Sequence, residues 1–397
     1  MSTIINLDRR VNEELAADIE KESVFVSPYL NRLRVREDGT AVEYEVQEGA
    51  KADEVAPKVE RYLAAMLQRT HNFDTKVFLK NRRKDEGPYT TAVHEELKAR
   101  GWLHDYNKGY VAISGPVLNL ARLIDGKAGE LYHAHFGAAA GQYPAFIDAE
   151  TLAKCGYFDS HSNAVSFVGH MVEDFDAIEE FRRANSCAEG WTMPEDAHVH
   201  MPGQCLNPAA CFPCYPTLEG RRIEDDGTTF TWMGRVFRYE SKNIQGLDRL
   251  WEFNVRELVF VGTKDYVKDC RRRALPLIGE LAAAIDVDCS IETASDPFFA
   301  TVAAAKKFWQ QAQEVKNEIM LPVEPNADGS ERRLACGSIN LHGNFFGTRF
   351  DIEGSDGQPA FTGCIGLGIE RWVLAAFVQH GFDPKRWPHG IREQVFG

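Results

Sequence analysis

Apolar and polar residues alternate in LNRLRVRE (30–37) and again in AVEYEVQE (41–48), and the turn residues DGT between them predict a β-hairpin. The period then lengthens. APKVERYLAAMLQRT (56–70) and TAVHEELKARG (91–101) carry apolar residues at helical spacing, on either side of a short strand signal, TKVFL (75–79). In NKGYVAISGP (107–116) an asparagine, two glycines and a proline break the pattern. The expected division is a small mixed α/β domain over 1–112 and a larger domain over 113–397. The larger part opens on a helix signal, PVLNLARLIDGKAGELYHAHF (116–136), and Pro144 in QYPAFI keeps the following residues out of helix. Its richest segment pairs two long alternating runs, TTFTWMGRVFRYE (228–240) and LWEFNVRELVFVG (250–262), as a hairpin with a wide, charged turn around Gly246. Side chains alternate with period two, so Arg238 and Glu240 share a face. By the same rule Phe253, Val255, Glu257, Val259 and Val261 share one face and Arg256 points the other way. Alanine-rich AAAKKFWQQAQEVKNEIM (303–320) predicts an amphipathic helix. The last signal is a strand, QPAFTG (358–363), then CIGLGIERW (364–372), read as a tight glycine-rich passage into a helix with the apolar stripe Ile369, Trp372, Val373, Ala376 and Phe377. Arg371 falls off that stripe.

Composition narrows what these elements can serve. A chain of 397 residues with 44% hydrophobic content can bury a full core. The N-terminal segment has no signal-peptide core and no apolar run is long enough for a bilayer, so a cytoplasmic protein without a membrane partner is expected. A formal net charge of −14 disfavours gripping a nucleic-acid backbone and favours a small molecule or a protein as partner. Nine cysteines, an odd number scattered over a long chain, suggest free thiols or metal ligands rather than a disulfide framework. The basic cluster Lys80–Lys84 reads as a solvated loop.

Three features carry candidate chemistry. Glu257 sits among valines on a strand face, where a carboxylate is costly unless it is paired, hydrogen-bonded or bound to a cation; an open cleft or a neighbouring arginine would satisfy it equally. Arg238 is either a cross-strand surface partner or an anion ligand. GLGIER is one residue away from a dinucleotide-binding fingerprint, but Arg371 replaces the third glycine and only about twenty-five residues follow, too few for that fold. An arginine at this turn suits a phosphate instead. Cys205, Cys211 and Cys214 crowd one segment, and with His198 or His200 they could form a local metal knuckle.

Taken together, FRYE…LDRLWEFNVRE and GLGIER resemble motifs 2 and 3 of class II aminoacyl-tRNA synthetases. FPCYPTLEG, ASDPFF, SINLHGNFFG and GCIGLGIERW are similar to one branch, the amino acid:[carrier protein] ligases, relatives of the atypical zinc-dependent seryl-tRNA synthetases of methanogenic archaea. The resemblance spans roughly residues 110–390. It implies an α+β fold, a class II synthetase-like antiparallel sheet flanked by helices, and a homodimer built near Pro144. It also implies ATP bound by Arg238 at the α-phosphate, Glu240 near the adenine amino group, Phe253 stacked on adenine and Arg371 at the γ-phosphate. Zn²⁺ would be held by Cys211, Glu257 and Cys364, with Cys205 or Cys214 as alternatives to the first, and Asn340 would lie near the substrate. RRLACGSIN lacks the carboxylate that the seryl enzymes use there toward Mg²⁺. The implied reaction is ATP-dependent activation of a small amino acid and its transfer to the phosphopantetheine thiol of a carrier protein, with the 303–320 helix as the place for docking. Seryl-tRNA synthetase-type aminoacylation and a non-catalytic paralogue are the rivals; the acidic charge makes tRNA the less expected acceptor.

Overall fold

A computed structural model describes residues 2–49, 52–68, 76–84, 87–186, 190–192, 198–293, 316–326 and 329–397. The predicted N-terminal hairpin forms. β1 (Ser2–Asn6), β2 (Leu30–Val35) and β3 (Ala41–Val46) make an antiparallel sheet in the order β1-β3-β2. The helices Glu13–Glu22 and Ala52–Leu67 bury Leu15, Ile19, Val59 and Leu63 with Leu33 and Val42 of the sheet. Each such fully buried aliphatic side chain stabilises by about 1.5–3 kcal/mol.

This first core ends well before residue 112. β4 (Val77–Asn81) is the edge strand of the main sheet, and Val93 and Leu97 of the helix Val93–Ala99 belong to the main core. Leu103 joins them from β5 (Leu103–Asp105), which pairs with β6 (Val111–Ile113). The cores therefore divide the chain between Leu67 and Lys76, because a strand belongs with the sheet that satisfies its backbone. In the basic cluster Lys80, Arg82 and Lys84 are exposed, as expected, but Lys80 lies in β4 and the Arg83 side chain is only 6% exposed, donating to the carbonyls of Gln379 and Gly87 beside Asp288.

The remaining strands are β7 (Ala139–Ala140), β8 (Phe146–Asp148), β9 (Phe167–Met171), β10 (Val199–Leu206), β11 (Gly227–Phe237), β12 (Glu252–Gly262), β13 (Cys289–Thr293), β14 (Lys316–Val323), β15 (Arg332–Gly343) and β16 (Phe361–Gly368). β8, β10 and β9 form a small separate sheet. The main sheet runs β4-β13-β14-β15-β16-β12-β11-β7, antiparallel except where β7 joins β11. Its back face buries Leu258 and Phe260 against the helices Gly115–Phe136, Lys264–Ile285 and Ile369–His380. Arg256 points the same way and pairs with Asp125. The front face carries Val255, Glu257, Val259 and Val261, so the alternation expected for this strand holds.

Two expectations are corrected. Lys316–Met320, the end of the expected 303–320 helix, is the start of β14; residues 303–315 and the whole of ASDPFF lie outside the described residues. CIGLG is not a turn: β16 continues through Gly368, and the helix starts directly at Ile369. No helix among the described residues is long and apolar enough to cross a membrane.

Candidate active site

Three elements bring Cys211, Glu257 and Cys364 together on the front face. Glu257 of β12 faces Gly366 of β16, two residues beyond Cys364, and Cys211 caps the 3-10 turn Phe212–Leu218. One ligand atom from each lies within 4.8 Å of the others, and all three residues are buried. Gly366 is what allows this closeness, since a Cβ there would lie 2.9 Å from Glu257 Oε2. Burial, with the neighbouring Cys364, pushes the Glu257 carboxyl well above the usual carboxylate range. The bond to Cys211, then burial, does the same to the Cys364 thiol.

This donor set fits a zinc ion. Two thiolates and a carboxylate are zinc ligands, and three protein ligands leave the fourth tetrahedral position for a substrate atom. A cation also answers the physical problem of Glu257, which forms no ion pair among the described residues. The alternative knuckle does not assemble. Cys214 accepts a hydrogen bond from Tyr143 Oη at 3.6 Å, Cys205 is buried on β10, and His198 stands 3.8 Å from Glu180. His200 is exposed and packs against His170.

The same open cleft continues along the sheet toward the N-terminal end of β12. Arg238, just past β11, donates Nε to the Pro208 carbonyl at 2.8 Å and lies 5.6 Å from the Phe253 ring centre, a cation–π arrangement. Glu240 is held by Arg249 at 2.9 Å. Glu370 fixes the start of β12 by accepting from the backbone and side-chain amides of Asn254. Arg371 is the one residue of its helix that is not buried, and it lines the cleft. Its Nε and Nη1 donate to the carbonyls of Asp248 and Ala335, both at 2.7 Å.

Asn340 on β15 is the register partner of Cys364 and donates Nδ2 to its sulfur at 3.6 Å. Four residues of this wall were not picked out from the sequence: Ser338 and His342 on β15, Lys316 and Glu318 on β14. Period-two counting from Asn340 reaches Ser338 and His342, but β14 was hidden inside a segment that reads as helix. Lys316 and Glu318 pair at 3.2 Å. Burial pushes the His342 imidazole down to about 3.

No family model matches the chain. It is 33% identical over 269 residues to amino acid--[acyl-carrier-protein] ligase 1 of Bradyrhizobium diazoefficiens, covering 66% of this chain and 77% of that one. A second ligase of that name from the same organism is 32% identical over 257 residues, with 64% and 73% covered. The type-2 serine--tRNA ligase of Methanopyrus kandleri is 25% identical over 314 residues, and this alignment spans 76% of the present chain and 60% of the longer archaeal one. In structure, the M. kandleri seryl-tRNA synthetase, solved with an A. aeolicus tRNASec, superposes over 99% of this chain and 77% of its own with a TM-score of 0.71 at 21% identity. The cytoplasmic serine-tRNA ligase of Naegleria fowleri, solved with AMP, gives a TM-score of 0.60 at 12% identity. The fold is that of class II seryl-tRNA synthetases, and the chain belongs to the amino acid:[carrier protein] ligases, their amino acid-activating relatives.

Proposed function

We propose that this enzyme uses ATP to convert a small amino acid, of glycine, alanine or serine type, to its adenylate and passes the aminoacyl group to the phosphopantetheine thiol of a carrier protein. One observation supports this most: the cleft that holds the Cys211, Glu257 and Cys364 set also holds Arg238, Phe253 and Arg371. In the first step an oxygen of the amino acid carboxylate attacks the α-phosphorus of ATP, the bond to the bridging oxygen breaks, and pyrophosphate leaves. Both reactants are anions, so the catalytic need is neutralisation and alignment, which Arg238 and Arg371 supply from fixed positions. Phe253 and Glu240 suit the two faces of adenine recognition, stacking and hydrogen bonding to its amino group. In the second step the thiol sulfur attacks the adenylate carbonyl carbon, AMP leaves with its oxygen, and the thiol proton goes to solvent. Zinc at Cys211, Glu257 and Cys364 would supply a Lewis-acid position for the substrate amino group, and Mg²⁺ would offset phosphate charge. Asn340, which donates to Cys364, would meet the substrate near that position.

The acceptor is the finer part of this reading. A net charge of −14 favours a protein acceptor over tRNA. Homodimer formation draws support from Phe146 and Phe167, each more than half exposed on the small sheet next to Pro144.

Amino acid-dependent exchange of pyrophosphate into ATP tests the first step, and mass spectrometry of a phosphopantetheinylated carrier, run beside tRNA acylation, tests the second. Exchange with a small amino acid and an aminoacyl mass on the carrier are expected; absence of exchange with every small amino acid would sink the enzyme reading, and charging of tRNA alone would replace the acceptor. Cys364→Ser is expected to lower bound zinc from about one per chain to near zero, because a hydroxyl is a poor zinc ligand. An unchanged metal ratio would move the site elsewhere.

A further inference from the structure

His342 is the residue left over at a β-bulge in β15, where Leu341 faces Gly363 and Gly343 faces Thr362 of β16. Bulges of this kind re-aim a side chain and recur next to active sites. Here the ring is turned to the front face and boxed by aromatic neighbours, with Phe346 edge-on at 4.9 Å and Tyr215 stacked on Phe346 at 4.0 Å. Its Nε2 lies 3.6 Å from Cys364 Sγ. Its Nδ1 lies 3.0 Å from Thr362 Oγ1 and 3.3 Å from Tyr215 Oη.

We infer that His342 is a positioning residue for the metal site, donating Nε2–H to the Cys364 sulfur while the hydroxyls of Thr362 and Tyr215 donate to Nδ1. This rests on the zinc reading proposed above. A metal-bound thiolate can only accept, so the ring nitrogen facing it must carry the proton, and the hydroxyls within reach of the opposite nitrogen can turn to donate to it. His342 is not itself a fourth ligand, since the atoms that lie within 4.8 Å of one another are those of Cys211, Glu257 and Cys364 alone among the described residues. With Asn340 Nδ2, Cys364 thus accepts two N–H bonds, one from each side chain flanking Leu341. Such bonds fix the sulfur's lone-pair direction and temper its charge, and removing a partner of this kind costs about 10–100-fold in metal affinity.

The test compares His342→Phe, which keeps the ring and loses the donor, with His342→Gln, which keeps a side-chain N–H. Zinc affinity is read by chelator competition, and cobalt-substituted protein reports the sulfur-to-metal charge-transfer band. His342→Phe is expected to bind zinc about 10–100-fold more weakly and to shift that band without a change in coordination number, while His342→Gln restores most of the affinity. Thr362→Val, a smaller change that removes only a donor to Nδ1, is expected to weaken zinc in the same direction; it carries the test if the phenylalanine variant does not fold. Three results overturn the role of His342: a folded His342→Phe or Thr362→Val with wild-type affinity, a glutamine variant as weak as the phenylalanine one, or a cobalt spectrum that loses one ligand. Wild-type protein that takes up no zinc would instead remove the metal reading, and this inference with it.

Discussion

Arg371→Lys is expected to lower kcat/KM for pyrophosphate exchange by about 10²–10³, the loss that follows removal of a fixed electrostatic donor from a desolvated site. Lysine keeps the charge but not the fork. The guanidinium spends Nε and Nη1 on the carbonyls of Asp248 and Ala335, leaving Nη2 without a partner among the described residues. A single ammonium cannot hold both carbonyls, keep the side chain aligned along the cleft and still present a donor to phosphate. Each abandoned carbonyl also costs about 1–3 kcal/mol if it stays buried and unsatisfied, so a fall in melting temperature is expected as well. The two effects separate by titrating active sites before measuring the exchange rate: destabilisation lowers the fraction of active molecules, whereas loss of the phosphate contact lowers the rate of those that remain. A lysine variant within about threefold of wild type per active site would leave Arg371 as a brace for β15 and the loop at Asp248, with no part in ATP binding.

Removing the metal is expected to turn Glu257 into a liability that grows with pH. Zinc held at the proposed site would stabilise the fold by mass action, by about 2.7 kcal/mol at one hundred times its Kd. In chelator the site is a buried carboxyl beside two buried thiols, and its folded pKa is raised by burial and by Cys364. The unfolded chain has an ordinary glutamate near pH 4.3. With the folded value the higher of the two, the native state holds a proton that the unfolded chain releases. The contribution of Glu257 to stability is then fully present below the unfolded pKa and is lost as pH rises toward the folded one. Glu257→Gln removes that dependence. In chelator, the variant should match wild type near pH 4.5 and melt progressively higher than wild type from pH 5 to 8, while in zinc it should bind no metal and melt lower. A difference in melting temperature that stays flat with pH would mean that the carboxylate is ionised and satisfied by protein groups, which would also weaken the case for a metal there.

Much of this site was legible in one dimension because it rests on strands. Period-two counting placed Glu257 with Val255, Val259 and Val261 and set Arg256 against them, and the pairing of β11 with β12 needs only the local turn between them. Arg371 was legible because a charged residue stood where the packing stripe of a buried helix left a gap. The misreadings share a cause. Glycines signal turns when they are read locally, yet in CIGLG they continue β16 because Gly363 makes room for the Phe260 ring and Gly366 for the Glu257 carboxylate, neighbours a hundred residues away in sequence. Within Lys80–Lys84 it is Arg83 that departs from the solvated reading, and one of its two carbonyl acceptors, at Gln379, lies 296 residues on.

What the chain order alone determined, then, is the two hairpins β2–β3 and β11–β12, the helices at 52–67, 115–136 and 369–380 in outline, and the face that each β12 side chain takes, because these follow from local backbone geometry. What only the tertiary structure decided is which of them meet. Cys211 rather than Cys205 or Cys214 reaches Glu257 because a 3-10 turn and β10 aim the other two elsewhere. The N-terminal division falls before β4 because that strand finds its hydrogen-bond partner in β13. His342 meets the Cys364 sulfur because β15 and β16 pair with Asn340 opposite Cys364. Each is a contact between segments distant in sequence, specified by the packing of whole sheets and therefore absent from any local pattern.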